Sequence, residues 1–188
     1  IHNGYVVVGN YKGKSPDTGS VHVFKKSGTG FSYLQTLAAP DGEDGDFFGK
    51  SVAISDGYIV VGDNTDNGSF NNEGSVYVYR FERGEFRHHQ HIQNPDNEYF
   101  GKSVAISDGY IVVGNDENSG NHGSVYVYRL EKGEFRHHQK IQNPDKGSSD
   151  GDYFGNSVAI SDGRIVVGAP EDVSTGSPGT AYIYSYGY

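Results

Sequence analysis

Cysteine, methionine and tryptophan are all absent from this 188-residue sequence. Without cysteine the chain can form neither disulfides nor thiolate metal sites, and this absence is compatible with any redox compartment. No apolar run reaches the ~18 residues of a membrane-spanning helix, and the first residues show no signal-peptide pattern. Because the chain starts at Ile1 and has no methionine anywhere, we expect a processed protein or a piece of a longer one.

Positive charge is also scarce, since 15 Lys and Arg residues stand against 24 Asp and Glu residues, for a net charge of −9. Nucleic-acid backbones and anionic membrane surfaces repel such a chain. We therefore expect no nucleic-acid partner and no membrane insertion. Cations and basic surfaces are the partners that this charge favours.

Glycine and aromatic residues, in contrast, are abundant. The chain holds 28 glycines, 15 tyrosines and 10 phenylalanines. The glycines recur at matched places along the sequence, which is typical of turns and close backbone approaches rather than of flexible linkers. Tyrosine and phenylalanine, together with the many valines and isoleucines, favour β-strands.

One sequence motif is repeated along the chain. The phrase SVAISDG begins at Ser51, Ser103 and Ser157, which gives periods of 52 and 54 residues. Residues 74–95 and 123–144 form a second repeated block and differ at only three of 22 positions. Repeats of this length indicate stacked structural units. We interpret residues 1–188 as one domain of four units, which are 1–37, 47–92, 99–141 and 153–188.

Each full unit contains four predicted strands, A to D. Strand A (FGKSVAIS) and strand B (YIVVG) are separated by a two-residue Asx-Gly turn, the strongest short-range signal of a β-hairpin. Strand C (SVYVYR) and strand D (EFRHHQHIQ) follow after a longer polar segment. The four copies of the turn are Asn3-Gly4, Asp56-Gly57, Asp108-Gly109 and Asp162-Gly163.

The hydrophobic pattern predicts how these strands are arranged. Strand B is apolar at consecutive positions, as expected for a strand that is covered on both faces, whereas strand D is rich in charge and imidazole, as expected at an exposed edge. The tyrosines of strand C alternate and are predicted to pack between neighbouring sheets. We therefore predict an all-β fold, a β-propeller of four-stranded antiparallel blades.

The strand content is BCD, ABCD, ABCD and ABC, so about four blade units are present and the two end units are incomplete. Both end units contain strands B and C, so they cannot merge into one regular blade. Two interpretations remain, a segment of a larger ring, which we favour, and a small four-unit ring with two three-stranded blades.

These phrases also carry a family resemblance. The chain resembles the FG-GAP repeat of integrin α-chain head domains over essentially its whole length, and the last unit spells both Phe154-Gly155 and Gly168-Ala169-Pro170. The resemblance implies β-propellers, commonly with seven blades. Integrin-type calcium sites occupy an Asp-rich loop between strands A and B. The same connection here is only Asp-Gly, so those sites cannot be transferred to this chain.

Two motifs could indicate catalysis or transition-metal binding. Ser55-Asp56 and its two copies might suggest a nucleophile, but a serine nucleophile needs a base and an oxyanion site. Turn chemistry explains the pair better, and we expect no enzyme activity. His89 and His91 would face one side of a regular strand and could bind a transition metal. The next unit has Lys140 in place of His91, which favours a polar outer strand instead.

Acidic loops are the strongest functional signal. Calcium prefers six to eight oxygen ligands in a loop turned by glycine, and such residues precede strand A or follow strand B in several units. No cofactor is certain from the sequence, and Ca²⁺ is the ion that these loops favour. The candidate ligands are Asp41, Glu43, Asp44, Asp46, Asp63, Asp66, Asp145, Asp150 and Asp152.

The segments between strands B and C vary in length and sequence although their flanking strands barely change. Variable loops on a constant scaffold are where binding usually resides. We therefore expect a non-enzymatic, extracellular or cell-surface module for recognition or adhesion, binding a protein or glycan ligand. The alternatives are a structural repeat protein that self-associates through its incomplete end blades and an accessory propeller of a larger enzyme. The variable segments are residues 63–73, 115–122 and 169–179.

Overall fold

The computed structural model consists of β-strands and turns, as predicted. Among the described residues, fourteen strands form four antiparallel sheets, so the all-β fold of propeller-type blades is confirmed. The structure describes residues 1–12, 18–42, 46–64, 74–93, 99–115, 123–144, 153–170 and 178–186.

The four sheets follow the chain in order, and each strand pairs with its sequence neighbour. Sheets 1 and 4 have three strands, sheets 2 and 3 have four, and this distribution confirms the predicted strand content. Sheet 1 is β1 (Tyr5–Asn10), β2 (Ser20–Ser27) and β3 (Gly30–Leu37); sheet 2 is β4 (Ser51–Ser55), β5 (Tyr58–Asp63), β6 (Ser75–Glu82) and β7 (Glu85–Gln93). Sheet 3 is β8 (Ser103–Ser107), β9 (Tyr110–Asn115), β10 (Ser124–Glu131) and β11 (Glu134–Gln142); sheet 4 is β12 (Ser157–Ser161), β13 (Arg164–Ala169) and β14 (Thr180–Ser185).

The predicted Asx-Gly hairpins form in every unit. Asp56 and Gly57 have φ values of 49° and 80°, the positive values that a type I′ turn requires. A second set of two-residue turns joins strand C to strand D, and there Arg83-Gly84 adopts φ values of 52° and 98°. Both connections are therefore short, which fixes the register of the sheet on either side of them.

The chain divides into two compact parts, residues 1–101 and 102–188. In the first part, Val21 and Val23 of sheet 1 share a buried cluster with Ile59 and Val61 of sheet 2. The second part has an equivalent cluster between sheets 3 and 4. Each sheet thus buries apolar side chains against a neighbour, because a single blade cannot cover its own faces.

The Phe-Gly segment ahead of strand A links two sheets. Phe48 is fully buried, and the Gly49 N–H donates to the Gly62 carbonyl of its own sheet at 3.2 Å. The Gly49 carbonyl points toward sheet 1, where a Cβ at Gly9 would lie only 2.0 Å from it. No side chain fits in that gap, so this position between sheets requires glycine.

The outer strand D is mostly exposed in sheet 3, whereas in sheet 2 the segment His89, Gln90 and His91 is half-buried. This agrees with the predicted edge strand. No helix among the described residues is long and apolar enough to cross a membrane.

Candidate functional site

The connections between strands differ at the two ends of each sheet. At one end, which we call the turn end, strands A to B and C to D are joined by two residues each, as at Ser55–Tyr58 and Glu82–Glu85 in sheet 2. At the opposite end, the loop end, Asp63 pairs with Ser75 where the longer B–C connection leaves and returns. The segment that enters strand A also arrives there. Long connections and variable sequence therefore converge on the loop end of each sheet.

Acidic residues are concentrated in the connections at the loop end. The loop-end connections, counted with the last residue of each strand B, contain 17 of the 24 acidic residues and only five of the 15 basic ones. The rest of the chain, including the turn ends, is slightly basic. Of these 17 acidic residues, Asp41, Asp46 and Asp63 belong to the part of the chain that the structure describes. An excess of negative charge in these connections favours cations and basic partners.

Two of the predicted calcium ligands are buried at the loop end of sheet 2. Asp63 is 1% exposed and Asp46 is 2% exposed. The Asp63 Oδ1 atom accepts a hydrogen bond from the Phe47 N–H at 2.9 Å. Asn64 is buried beside them, and its Oδ1 atom has no hydrogen-bond donor in the structure. The burial of these polar groups fixes the geometry at which the B–C connection begins.

These oxygens are of the type that calcium binds, but the described residues alone do not make a metal site. No group of three or more His, Asp or Glu side chains in the described ranges could hold an ion. Strands A and B are joined by only Asp56 and Gly57, since Ser55 pairs with Tyr58, so the familial loop has no counterpart. A hydrogen bond of 2.7 Å from the Phe81 N–H to the Gly57 carbonyl ties this turn to strand C. The candidates outside the described residues are Glu43, Asp44, Asp66, Asp145, Asp150 and Asp152.

The remaining candidate, Asp41, belongs to a different cluster. It accepts a hydrogen bond from the Tyr77 hydroxyl at 2.8 Å, and its other oxygen lies 3.5 Å from His91 Nδ1. The His91 ring stacks on Tyr77 with 4.4 Å between ring centroids, and its Nε2 lies 2.9 Å from Ser75 Oγ. We call Asp41, Ser75, Tyr77 and His91 the Asp41 cluster. Its members come from three segments that are far apart in sequence.

Burial and the Asp41 cluster shift the acidity of nearby groups. Burial, with a further contribution from the Asp41 charge, raises the pKa of the Tyr79 hydroxyl well above its usual value, and that hydroxyl donates to the Ala38 carbonyl at 2.6 Å. Burial, followed by repulsion from His91, lowers the pKa of His88. Both shifts favour the neutral forms of these side chains at neutral pH.

The prediction that His89 and His91 share one face is wrong. A β-bulge between Val78 and Tyr79 shifts the register, so that His88 pairs with Tyr79 and His91 pairs with Tyr77. His88 and His91 therefore share a face, while His89 contacts the Tyr58 ring instead. The extra residue of a bulge breaks the simple alternation on which the prediction rested.

Sheet 3 provides a natural variant of the Asp41 cluster. Lys140 occupies the place of His91, and its Nζ atom lies 5.0 Å from the centre of the Tyr126 ring. A stacked imidazole and a cation over the ring occupy the same position on the two sheets. The aromatic residue is common to both, and its partner changes from a titratable group to a permanent charge.

The repeated Ser-Asp pair is turn chemistry. In all three copies the serine hydroxyl donates to the neighbouring aspartate, at 3.0 Å for Ser55 and Asp56. His2 lies 3.5 Å from Asp56, a contact that sequence reasoning missed. The carboxylate stands between the serine and the histidine, whereas nucleophilic catalysis requires the imidazole to contact the serine. This order of groups stabilises the turn and does not activate the hydroxyl.

Tyr77 and Tyr79 of strand C lie in the buried cluster between sheets 1 and 2, as predicted. Tyr77, Tyr79, Tyr126 and Tyr128 are each at most 5% exposed. They are therefore unavailable for stacking on a sugar, and a glycan would have to contact other residues.

Comparison with protein families gives a clear result. The family described as FG-GAP repeat matches residues 31–79, 95–128 and 136–184, which is 132 of the 188 residues. No curated protein matches the chain significantly.

Proposed function

Because the chain belongs to the FG-GAP repeat family, we propose that it is a non-enzymatic recognition or adhesion module that binds a protein or a glycan at the loop end of its sheets. FG-GAP repeats are found in integrin-like adhesion and recognition proteins. We place the chain outside the cell or at the cell surface by the same reasoning.

The observation that carries this proposal is the separation of constant and variable sequence. Strands β6 and β10 differ at one of eight positions, Phe81 against Leu130, and the turn-end connections are all two residues long. The B–C connections that leave the loop end share neither length nor sequence. A scaffold that is held constant while one end varies is the arrangement expected of a binding surface.

The electrostatics suggest which partners fit. The loop-end connections carry most of the negative charge of the chain, so a partner with a basic surface would associate faster and with a strong dependence on salt. Among glycans, neutral or basic sugars are compatible with this surface, and sulfated chains are not. We therefore favour a basic protein surface over a glycan.

The test uses two matched variants and a defined panel of purified basic proteins, acidic proteins and immobilised glycans. In the loop variant, residues 65–73 are replaced by residues 116–122 of the next unit, which leaves the flanking strands unchanged. In the control, Glu85→Gln and Glu134→Gln remove two exposed acidic residues near the turn ends. The loop variant should lose at least tenfold in affinity for any panel member that binds, and the control should not.

Two outcomes would contradict the proposal. One is a panel member that binds with equal affinity to the loop variant and to the unmodified chain. The other is turnover of a panel member, since the proposal assigns no catalysis to these residues. Circular dichroism of both variants verifies that the sheets are retained.

A further inference from the structure

Sheet 1 has one side that points away from sheet 2. Val21 and Val23 of β2 lie in the buried cluster shared with sheet 2, so the alternate residues of this strand point to the opposite side. Together with their partners on β3, these residues form three rows across the sheet. The rows, which we call the outer face, are His22 with Thr36, Phe24 with Tyr33, and Lys26 with Phe31.

The outer face holds the most accessible aromatic rings of the described chain. Phe31 and Tyr33 are 50% and 61% exposed, and every other phenylalanine or tyrosine among the described residues is buried or half-buried. Phe24 packs edge-on against Tyr33, with 6.1 Å between the ring centroids. Exposed aromatic rings that are grouped on one surface indicate a binding site.

Polar groups on the outer face are ordered around the Tyr33 ring. The Thr36 Oγ1 atom lies 2.9 Å from the Tyr33 hydroxyl oxygen and 3.0 Å from His22 Nδ1. These three side chains hold one another in place before a ligand arrives, so binding loses less side-chain entropy. A hydroxyl group has one donor and two acceptor positions, so Thr36 and Tyr33 keep the capacity to bond to a ligand.

The outer face is not a copy of the surface that packs between sheets. In sheets 2 and 3, both strand C positions of the equivalent rows are tyrosines that are at most 5% exposed. Sheet 1 has His22 and Phe24 at these positions, and its tyrosine, Tyr33, lies on β3 instead. A hydrogen-bonded polar group therefore stands where the other two sheets bury a tyrosine. This exchange suits a ligand that carries hydroxyl groups.

Charge also distinguishes sheet 1 from the rest of the chain. Residues 1–37 contain four lysines and one aspartate, whereas the other 151 residues contain 11 basic and 23 acidic residues. Lys26 is exposed, and it lies on the outer face two residues beyond Phe24. A basic surface on an otherwise acidic chain favours an anionic ligand.

We propose that the outer face of sheet 1 binds an anionic polysaccharide. The exposed rings pack against the C–H face of a sugar, because aromatic side chains offer a large apolar surface beside a polar tip. Thr36, Tyr33 and His22 form hydrogen bonds with sugar hydroxyls, and the Lys26 ammonium pairs with a carboxylate or sulfate of the polymer. The outer face is separate from the loop end, so the proposal does not depend on the recognition function assigned there.

A polysaccharide fits the outer face better than an acidic peptide does. The backbone hydrogen bonds of a sheet run between its strands, so the side of sheet 1 offers no backbone groups to an extended peptide. Extended peptides bind by adding a strand at a sheet edge, and helical peptides bind in apolar grooves. Sugar hydroxyls need side-chain donors and acceptors instead, and the outer face supplies them beside its aromatic rings.

The experiment measures binding of the full chain to immobilised polygalacturonate, dextran sulfate and neutral dextran. The chain should bind at least one of the two anionic polymers, and the one it prefers shows whether carboxylate or sulfate is recognised. Tyr33→Ala should lower the affinity for that polymer by about tenfold, as expected for an aromatic anchor. Tyr33→Phe keeps the ring and should lose less. Circular dichroism verifies that the sheets are retained.

Adjacent lysines provide a matched control. Lys25 follows Phe24 and points to the other side of β2, where its Nζ atom lies 5.9 Å from the centre of the Tyr5 ring. Lys25→Gln and Lys26→Gln remove the same charge from neighbouring positions. Lys26→Gln should lower the affinity by about fivefold, as for a charge-assisted hydrogen bond, whereas Lys25→Gln should lower it by less than about twofold because only the net charge changes.

Three results would overturn the proposal. The first is the absence of binding to both anionic polymers. The second is an equal loss of affinity in Lys25→Gln and Lys26→Gln, because attraction to the net charge alone would behave in that way. The third is binding of polyglutamate that is as tight as that of the polysaccharide and equally sensitive to Tyr33→Ala, because the ligand would then be an acidic protein.

Discussion

A single methyl group at Gly62 should break the contact between sheet 2 and the Phe100-Gly101 segment. A Cβ at this position would lie 2.1 Å from the Gly101 carbonyl oxygen and 2.2 Å from Ser51 Oγ. Because the carbonyl belongs to the backbone, the segment must move away by about 1 Å, and overpacking of this kind costs about 1–3 kcal/mol. The Ser51 hydrogen bond to the same carbonyl is lost with it, which costs about 1 kcal/mol.

The unfolded state partly offsets this loss. Replacing glycine by alanine lowers the conformational entropy of the unfolded chain and so stabilises the fold by about 0.4–1 kcal/mol. Gly62→Ala should therefore lower the free energy of unfolding by about 1–3.5 kcal/mol after that gain is subtracted. With a urea m-value of about 2 kcal/mol/M, the midpoint should fall by about 1 M.

Urea unfolding followed by tyrosine fluorescence measures this change, because the chain has 15 tyrosines and no tryptophan. Gly30→Ala is the matched control, since no atom lies within 4 Å of a Cβ at that strand position. The control should be neutral or slightly stabilising. If Gly62→Ala and Gly30→Ala shift the midpoint equally, the inference that glycine is retained for the contact with the Phe100-Gly101 segment is wrong.

Three further predictions follow from the loop end and the outer strand. Tyr77→Phe removes a hydrogen bond to a carboxylate and should lower the free energy of unfolding by about 1.5–3 kcal/mol. In a double-mutant cycle with Asp41→Ala, the loss in the double mutant should be smaller than the sum of the two single losses. Additive losses would contradict the contact between Tyr77 and Asp41. The pKa of His88 is lowered by burial and by His91, so the unfolded chain binds more protons and stability should fall as the pH drops through about 6.5. His88→Gln should reduce that pH dependence, and an unchanged slope would argue against it. The acidic loops predict a higher melting temperature with calcium than with chelator. Asp63→Asn, which copies the natural residue at position 115 of the next unit, should remove the part of this difference that comes from the loop beginning at Asp63. Equal melting curves with calcium and with chelator would exclude calcium binding.

Much of the fold could be predicted because the same local signals recur in phase. Asx-Gly between hydrophobic runs predicts the hairpins of Asp56 and its equivalents, since few residues other than glycine, asparagine and aspartate readily adopt a positive φ. The turn at Arg83-Gly84 was harder to predict, because arginine gives no signal for the left-handed conformation that it adopts there. Glycine after a charged residue was the available clue.

The candidate site was less predictable because its contacts depend on tertiary structure. Asp41 and Tyr77 are 36 residues apart in sequence, and nothing in the spacing of acidic residues distinguishes Asp41 from its neighbours. The faces of the histidines depend on a bulge between Val78 and Tyr79, and a bulge inserts one residue without a fixed sequence signature. Burial of Asp63 followed from neither its charge nor its loop, although the apolar strand before it was a hint.

The repeated phrase has to satisfy two sheets at once, and this explains why it varies so little. Its serine donates to the next Phe-Gly segment, and its glycine must leave room for the carbonyl oxygen of that segment. A change in any of these groups in one unit would strain the segment that packs on it, so a substitution in one repeat requires a compensating change in the next. The B–C connections differ in length and sequence from unit to unit, so the repeat does not hold them to one sequence. Selection for binding can therefore act on the loops without cost to the contacts between sheets, which is the physical basis for assigning recognition to that end.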